Sequence, residues 1–192
     1  MALKQPAWNI ILASKSPRRQ NLLKELGFNF DIKTKEIEEI YPPELQKEAV
    51  AVFLSELKAS AFKKDLADND LVLTSDTIVC LADEIIGKPT DRADAIKMLG
   101  KLSGNRHEVI TAVTLLSKEK QHTFYDVTAV YFKELSLQEI EYYIDKYEPF
   151  DKAGSYGIQE WIGYIGIEKI NGSYFNVMGL PVKRVYAEIL KF

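Results

Sequence analysis

The octapeptide Leu12-Ala13-Ser14-Lys15-Ser16-Pro17-Arg18-Arg19 places two guanidinium groups where a helix carries its own positive charge. Ser16 suits an N-cap and Pro17 the first helical position, so Arg18 and Arg19 fall in the opening turn. Unpaired backbone N–H groups there amount to about half a positive elementary charge, which favours anions and disfavours cations. A phosphate resolves the conflict by accepting backbone N–H bonds and bidentate arginine forks together, with Ser14 and Ser16 as further donors. The competing reading turns both arginines into water as decoration of a helix start, and residue types alone do not separate the two.

Two more cations and two carboxylates stand in positions of interest. Lys58 interrupts the apolar row Val50, Leu54, Phe62, whose fourfold spacing stacks side chains on one helix face. Its stem either snorkels past the core edge or carries the ammonium into a site. Lys88 follows a strand in Gly87-Lys88-Pro89. Asp76 follows the apolar run Leu71-Val72-Leu73. A carboxylate held rigidly at a strand end suits a metal or a general base, although an aspartate between strands also suits a turn or a cap. Glu38 and Glu39 read either as a solvated acidic loop or as a second carboxylate for the same site. The chain has no G-x-x-x-x-G-K-[ST] loop, no G-x-G-x-x-G and no G-x-S-x-G elbow. His107 and His122 lack metal-ligand spacing and read as structural, which leaves Ser14 and Ser16 without a base and makes them phosphate donors. Cations with carboxylates fit phosphoryl or nucleotidyl transfer, where positioning and charge stabilisation supply most of the catalysis.

These residues need elements to hold them. Asn9 to Ala13 reads as a buried strand, followed by a helix that Gly27 ends. Phe28 to Lys33 alternates like a strand, and a long amphipathic helix spans Glu44 to about Lys64. Leu71 to Ser75 and Ile78 to Leu81 read as strands with Asp76-Thr77 between them, and a turn at Ala82-Asp83-Glu84 leads into Glu84 to Ile86. Asp91 caps a helix that reaches about Leu102. Strands follow at Glu108 to Leu116 and Gln121 to Tyr131. Ser136 and Glu139 form a capping box for a helix to about Lys146. Glu148 to Ile158 reads as loop, Tyr164 to Ile170 as strand, and Pro181 opens a last helix. The alternation predicts an α/β fold with a mixed sheet.

At 192 residues the chain reads as a single domain, 1–192, large enough to bury a real core. A hydrophobic fraction of 46% argues against disorder. The net charge of −3 gives no global attraction to nucleic acid or to an anionic membrane, so phosphate chemistry needs a local basic cluster. The single cysteine, Cys80, excludes an intramolecular disulfide and fits a reducing compartment. With no signal-peptide pattern and no membrane-length apolar run, the reading is a cytoplasmic protein.

The opening segment Leu12-Ala13-Ser14-x-Ser16-Pro17-Arg18-Arg19-x-x-Leu22-Leu23 resembles the signature of the Maf family, nucleoside triphosphate pyrophosphatases once linked to septum formation. Further blocks continue the resemblance in family order: Glu38-Glu39, Lys58-Ala59, Ser75 to Val79, Gly87-Lys88-Pro89, Asp151 to Gln159, and Ile170 through Pro181. The resemblance implies an elongated mixed sheet flanked by helices, two lobes and a central cleft, as in the inosine triphosphate pyrophosphatases, and a homodimer. It implies hydrolysis of a nucleoside triphosphate substrate to monophosphate and pyrophosphate. Thr77 and Gln159 resemble the branch that acts on dTTP and UTP. Asp76 and Glu39 are then expected to hold Mg²⁺ or Mn²⁺, with Asp76 as general base. Ser14, Ser16, Arg18, Arg19, Lys58 and Lys88 are expected to clamp the phosphates. Ser75 and the Trp161-Ile162-Gly163-Tyr164 segment depart from the family pattern. A different class of reading is a non-hydrolytic nucleotide-binding regulator of cell division.

Overall fold

The computed structural model describes residues 5–192. Its seven strands are β1 (Asn9–Leu12), β2 (Phe30–Ile32), β3 (Asp70–Leu81), β4 (Glu84–Ile86), β5 (Arg106–Leu116), β6 (Gln121–Phe132) and β7 (Ile167–Asn171). They form one mixed sheet in the order β2-β1-β3-β5-β6-β7, with β4 paired to β3. β1 runs parallel to β2 and to β3, whereas β4 on β3 and β7 on β6 are antiparallel. The helices are α1 (Pro17–Glu25), α2 (Glu48–Ser60), α3 (Arg92–Leu102), α4 (Leu137–Tyr147), α5 (Trp161–Gly166), α6 (Tyr174–Val177) and α7 (Val182–Lys191).

Where a local signal is strong, the elements fall as expected. Ser16 caps α1 through its side chain, with Pro17 at the first position. Asp91 caps α3, and Ser136 and Glu139 form the full capping box of α4. Three expectations need correction. β3 runs unbroken for 12 residues, so Asp76 and Thr77 lie inside a strand and not in a turn. α2 begins at Glu48 because Lys47 takes a φ of +44°, outside the helical basin, and it gives way after Ser60 to turns that bond Phe62 to Ala59 and Asp65 to Phe62. Trp161 to Gly166 is helical, and β7 starts only at Ile167. Here packing overrides the β-branched residues: Ile162 is fully buried, and Gly163 lies so close to the Ile158 carbonyl that a Cβ would stand 1.9 Å from its oxygen.

The chain divides into two compact units. One comprises the described residues up to Asp76, with Thr111–Asp126 and Gly179–Phe192; the other comprises Thr77–Ile110 and Val127–Met178. In the first, Ile11, Ala59, Phe62, Val72 and Leu116 form a buried cluster, and Tyr186 of α7 stacks on Phe28 at 5.4 Å. In the second, a larger cluster includes Leu99, Leu102, Val109, Phe132, Ile144 and Ile162. No helix among the described residues is long and apolar enough to cross a membrane.

Candidate active site

In the first unit, the helix face that Lys58 interrupts is the buried one: Val50, Ala51, Leu54, Ser55 and Ala59 all face the core. Ser55 sits one turn before Lys58 and joins a fully buried hydroxyl cluster. Its Oγ lies 2.9 Å from Thr114 Oγ1, and its carbonyl accepts from Thr74 Oγ1 at 2.7 Å. Thr74 and Asp76 share one face of β3, because strand side chains alternate. Locking Ser55 to Thr74 therefore sets α2 in register on β3 and brings Lys58 onto Asp76. Lys58 Nζ donates to Asp76 Oδ1 at 2.5 Å and stands 3.0 Å from Glu39 Oε1. The ammonium is thus paired with two carboxylates. Asp76 and Lys58 are largely buried, with side-chain exposures of 10% and 17%, whereas Glu39 is open at 46%.

The β1–α1 turn supplies the remaining first-unit residues. Ala13 N–H donates to the Leu73 carbonyl at 2.9 Å, which ties the turn to β3 three residues before Asp76. Ser14 is buried, and its Oγ accepts from the Ser16 amide at 3.2 Å, while Ser16 Oγ accepts from the Arg19 amide at 3.4 Å. Arg19 is half-buried and donates to main chain from its guanidinium, Nε to the Gly179 carbonyl at 2.9 Å and Nη1 to the Ser75 carbonyl at 2.7 Å. Burial lowers its pKa from the ordinary value, opposed by the charges of Asp76 and Glu39 and reinforced by Arg18. Arg19 therefore cross-links α1, β3 and the segment before α7. That role came from no local signal, since Gly179 lies 160 residues away. Arg18 is half-buried beside it.

Thr77, Lys88 and Gln159 belong to the second unit. Thr77 is half-buried on β3, and Lys88 is exposed in the loop after β4. Gln159 follows the two short 3-10 turns at Pro149–Asp151 and Ala153–Ser155, and its Oε1 is buried with no hydrogen-bond partner among the described residues. Buried amide oxygens are normally satisfied, so this unpartnered acceptor is an exception within the segment. His107 lies within the aromatic cluster of Phe132 and Tyr156, with Nε2 2.8 Å from the Tyr156 hydroxyl, as befits a structural histidine.

The family model described as "Maf-like protein" matches residues 9–192. A protein of Flavobacterium psychrophilum named dTTP/UTP pyrophosphatase is 55% identical over 94% of this chain and 93% of its own. Proteins of the same name from Cytophaga hutchinsonii and Phocaeicola vulgatus are 51% and 52% identical, over 95% and 96% of this chain and 84% and 96% of theirs. Among solved structures, a Mycobacterium abscessus nucleoside-triphosphatase / dITP/XTP pyrophosphatase overlaps at a TM-score of 0.44 and 14% identity over 65% of this chain and 74% of its own, too slight a likeness to build on. The serine-arginine turn and the lysine-carboxylate cluster thus stand on a chain that belongs to the Maf-like family.

Proposed function

We propose that the protein hydrolyses nucleoside triphosphates, dTTP and UTP foremost, to the monophosphate and pyrophosphate. The observation that carries this reading is the Lys58 ammonium clasped by Asp76 and Glu39, on a chain about half identical to relatives named dTTP/UTP pyrophosphatase. Water attacks the α-phosphorus, the bond from that phosphorus to the bridging oxygen breaks, and pyrophosphate departs with the electron pair. Asp76, held in place by Lys58, takes the proton from the water as general base. Arg18, Ser14 and Ser16 hold phosphate oxygens at the α1 N-terminus, and Arg19 adds charge there while fixing the turn. Lys58 neutralises charge on the leaving group, and Lys88, in the second unit, is a phosphate-binding cation by the family resemblance.

Carboxylates are the donor type of a hard divalent cation, but Asp76 and Glu39 both pair with the Lys58 ammonium, and among the described residues no group of three or more His, Cys, Asp or Glu is placed to hold a metal ion, so substrate phosphates and water would complete the ion's ligands. Hard ions bound through one or two carboxylates, with phosphate oxygens and water as the other ligands, are the habit of Mg²⁺ and of the similar Mn²⁺. Such an ion, when bound by Asp76 and Glu39, supplies Lewis-acid polarisation of phosphate oxygens. In the second unit, the unpartnered Gln159 Oε1 supports its reading as a base-recognising residue. Uracil and thymine present an imide N–H to an acceptor, and cytosine has none at that ring position. Thr77 accompanies it as the second selectivity residue. A homodimer is the assembly that the family resemblance implies.

The test is turnover in ¹⁸O-labelled water with Mg²⁺ or Mn²⁺ across a panel of triphosphates. The expected result is label in the monophosphate, with Asp76→Asn slowed by roughly 10²–10⁴-fold, the range of general-base loss. Label in pyrophosphate, or an Asp76→Asn variant at full rate, overturns the reading.

A further inference from the structure

The segment that carries Gln159 is held by a buried polar network. Tyr143 of α4 is fully buried; its hydroxyl donates to Glu160 Oε2 and accepts the Gly157 amide at 3.0 Å. Glu160 Oε1 lies 3.3 Å from Nζ of Lys152, which is itself buried and bonded to Asp151 Oδ1 at 2.8 Å. One phenol and one carboxylate thereby anchor the residues two before and one after Gln159. The Glu160 amide donates to the Gly157 carbonyl at 3.0 Å, closing the turn around it. The carboxylate packs so closely on this turn that a Cβ at Gly157 would stand 2.7 Å from Glu160 Cδ. On the outer side, the Tyr164 hydroxyl donates to the Gln159 carbonyl at 2.8 Å. The same segment reaches the loop of Lys88, since the Gly154 amide, at a φ of +72°, donates to the Gly87 carbonyl at 2.9 Å.

A buried lysine–carboxylate pair adds little net stability over apolar residues of the same volume, because desolvation offsets the attraction. What it does fix is direction. We propose that Tyr143, Glu160 and Lys152 are positioning residues for base selection: they hold the Gly157–Glu160 turn so that the Gln159 amide oxygen stands where a base N–H can reach it. The proposal rests on the reading of Gln159 as the base-recognising residue. None of the three touches the nucleotide, so they act on selectivity through Gln159 and not on the reacting phosphate.

The experiment compares kcat/KM for UTP and CTP in the wild type, Tyr143→Phe, Glu160→Gln, Gln159→Ala and the Tyr143→Phe/Gln159→Ala double variant, each below its measured Tm. Tyr143→Phe keeps the buried ring and removes only the hydroxyl; Glu160→Gln keeps an acceptor for Tyr143 and removes the charge facing Lys152. The expected result is a UTP/CTP ratio lowered about tenfold in both, the scale of a modest misplacement of a binding group. The change should sit mainly in KM for UTP, with the double variant no worse in ratio than Gln159→Ala alone. A wild-type ratio in folded Tyr143→Phe and Glu160→Gln, beside a lost ratio in Gln159→Ala, overturns the positioning role and leaves Gln159 as the base-recognising residue. Additive losses in the double variant overturn it too. A wild-type ratio in Gln159→Ala removes the reading on which it rests.

Discussion

Lys58 is shared unequally by two carboxylates, and a pair of double-mutant cycles on folding stability should show it. At an effective dielectric of about 20, separations of 2.5 and 3.0 Å give gross attractions of about 7 and 6 kcal/mol, nearly equal. Solvent exposure separates them. Glu39, at 46% exposed, belongs with surface pairs, which contribute about 0–1 kcal/mol, whereas Asp76, at 10%, approaches the buried class, where losing one partner costs about 3–5 kcal/mol. Lys58 itself retains 17% exposure, which moderates the second figure. The expected coupling is therefore about 2 kcal/mol for Lys58 with Asp76 and about 0.5 kcal/mol for Lys58 with Glu39. Urea denaturation of the wild type, Lys58→Met, Asp76→Asn, Glu39→Gln and the two double variants measures both terms. For a chain of this length, Lys58→Met should lower Tm by roughly 4–8 °C. A Lys58–Asp76 coupling no larger than the Lys58–Glu39 coupling would refute the reasoning, because burial would then not be deciding the energy.

Two other expectations concern His107 and Arg19. His107 is desolvated beside Arg106, which pulls its pKa down to about 4 from an ordinary 6.5. The unfolded chain then binds more protons between those values, so the contribution is complete above pH 6.5 and lost as pH falls toward 4, by up to about 3 kcal/mol. Unfolding free energies at pH 7 and pH 4.5 should fall about 2 kcal/mol further in the wild type than in His107→Phe, and parallel curves would contradict the assignment. Arg19→Lys keeps the charge but cannot reproduce the fork to Ser75 and Gly179, so it should lose about 1–2 kcal/mol in urea unfolding; an unchanged midpoint would show that the two carbonyl bonds do not matter to the fold.

The sequence was most legible where a residue acts on its near neighbours. Ser16 and Pro17 announce α1, and Ser136 and Glu139 announce α4, because caps satisfy backbone groups within one turn. Asp76 misled locally: aspartate disfavours strands, yet β3 carries it because Lys58, 18 residues earlier, arrives from α2 to pair with it. The helix at Trp161–Gly166 was hidden for a related reason, since its isoleucines prefer strands and only the close approach of Gly163 to Ile158 permits the turn. Resemblance pointed to the block ending at Gln159, but no spacing shows that Tyr143 reaches across to Glu160 and Gly157. Long-range hydrogen bonds leave no period in a sequence.

The segmented make-up of the first unit bears on how the protein is synthesised. Gly179–Phe192 completes that unit, yet it leaves the ribosome after every residue of the second unit, Thr77–Ile110 and Val127–Met178. At about 5–20 residues per second, the second unit has its whole sequence available before Arg19 can find the Gly179 carbonyl or Phe28 its stacking partner Tyr186. Lys58, Asp76 and the bonds of the Arg19 turn to Leu73 and Ser75 are all available early, but the Arg19 bond to the Gly179 carbonyl forms only after the second unit's sequence has been made. A nascent chain stalled before Gly179 can therefore pair Lys58 with Asp76 and Arg19 with the Ser75 carbonyl, but the second arm of the Arg19 fork has no acceptor until the chain beyond the second unit is made.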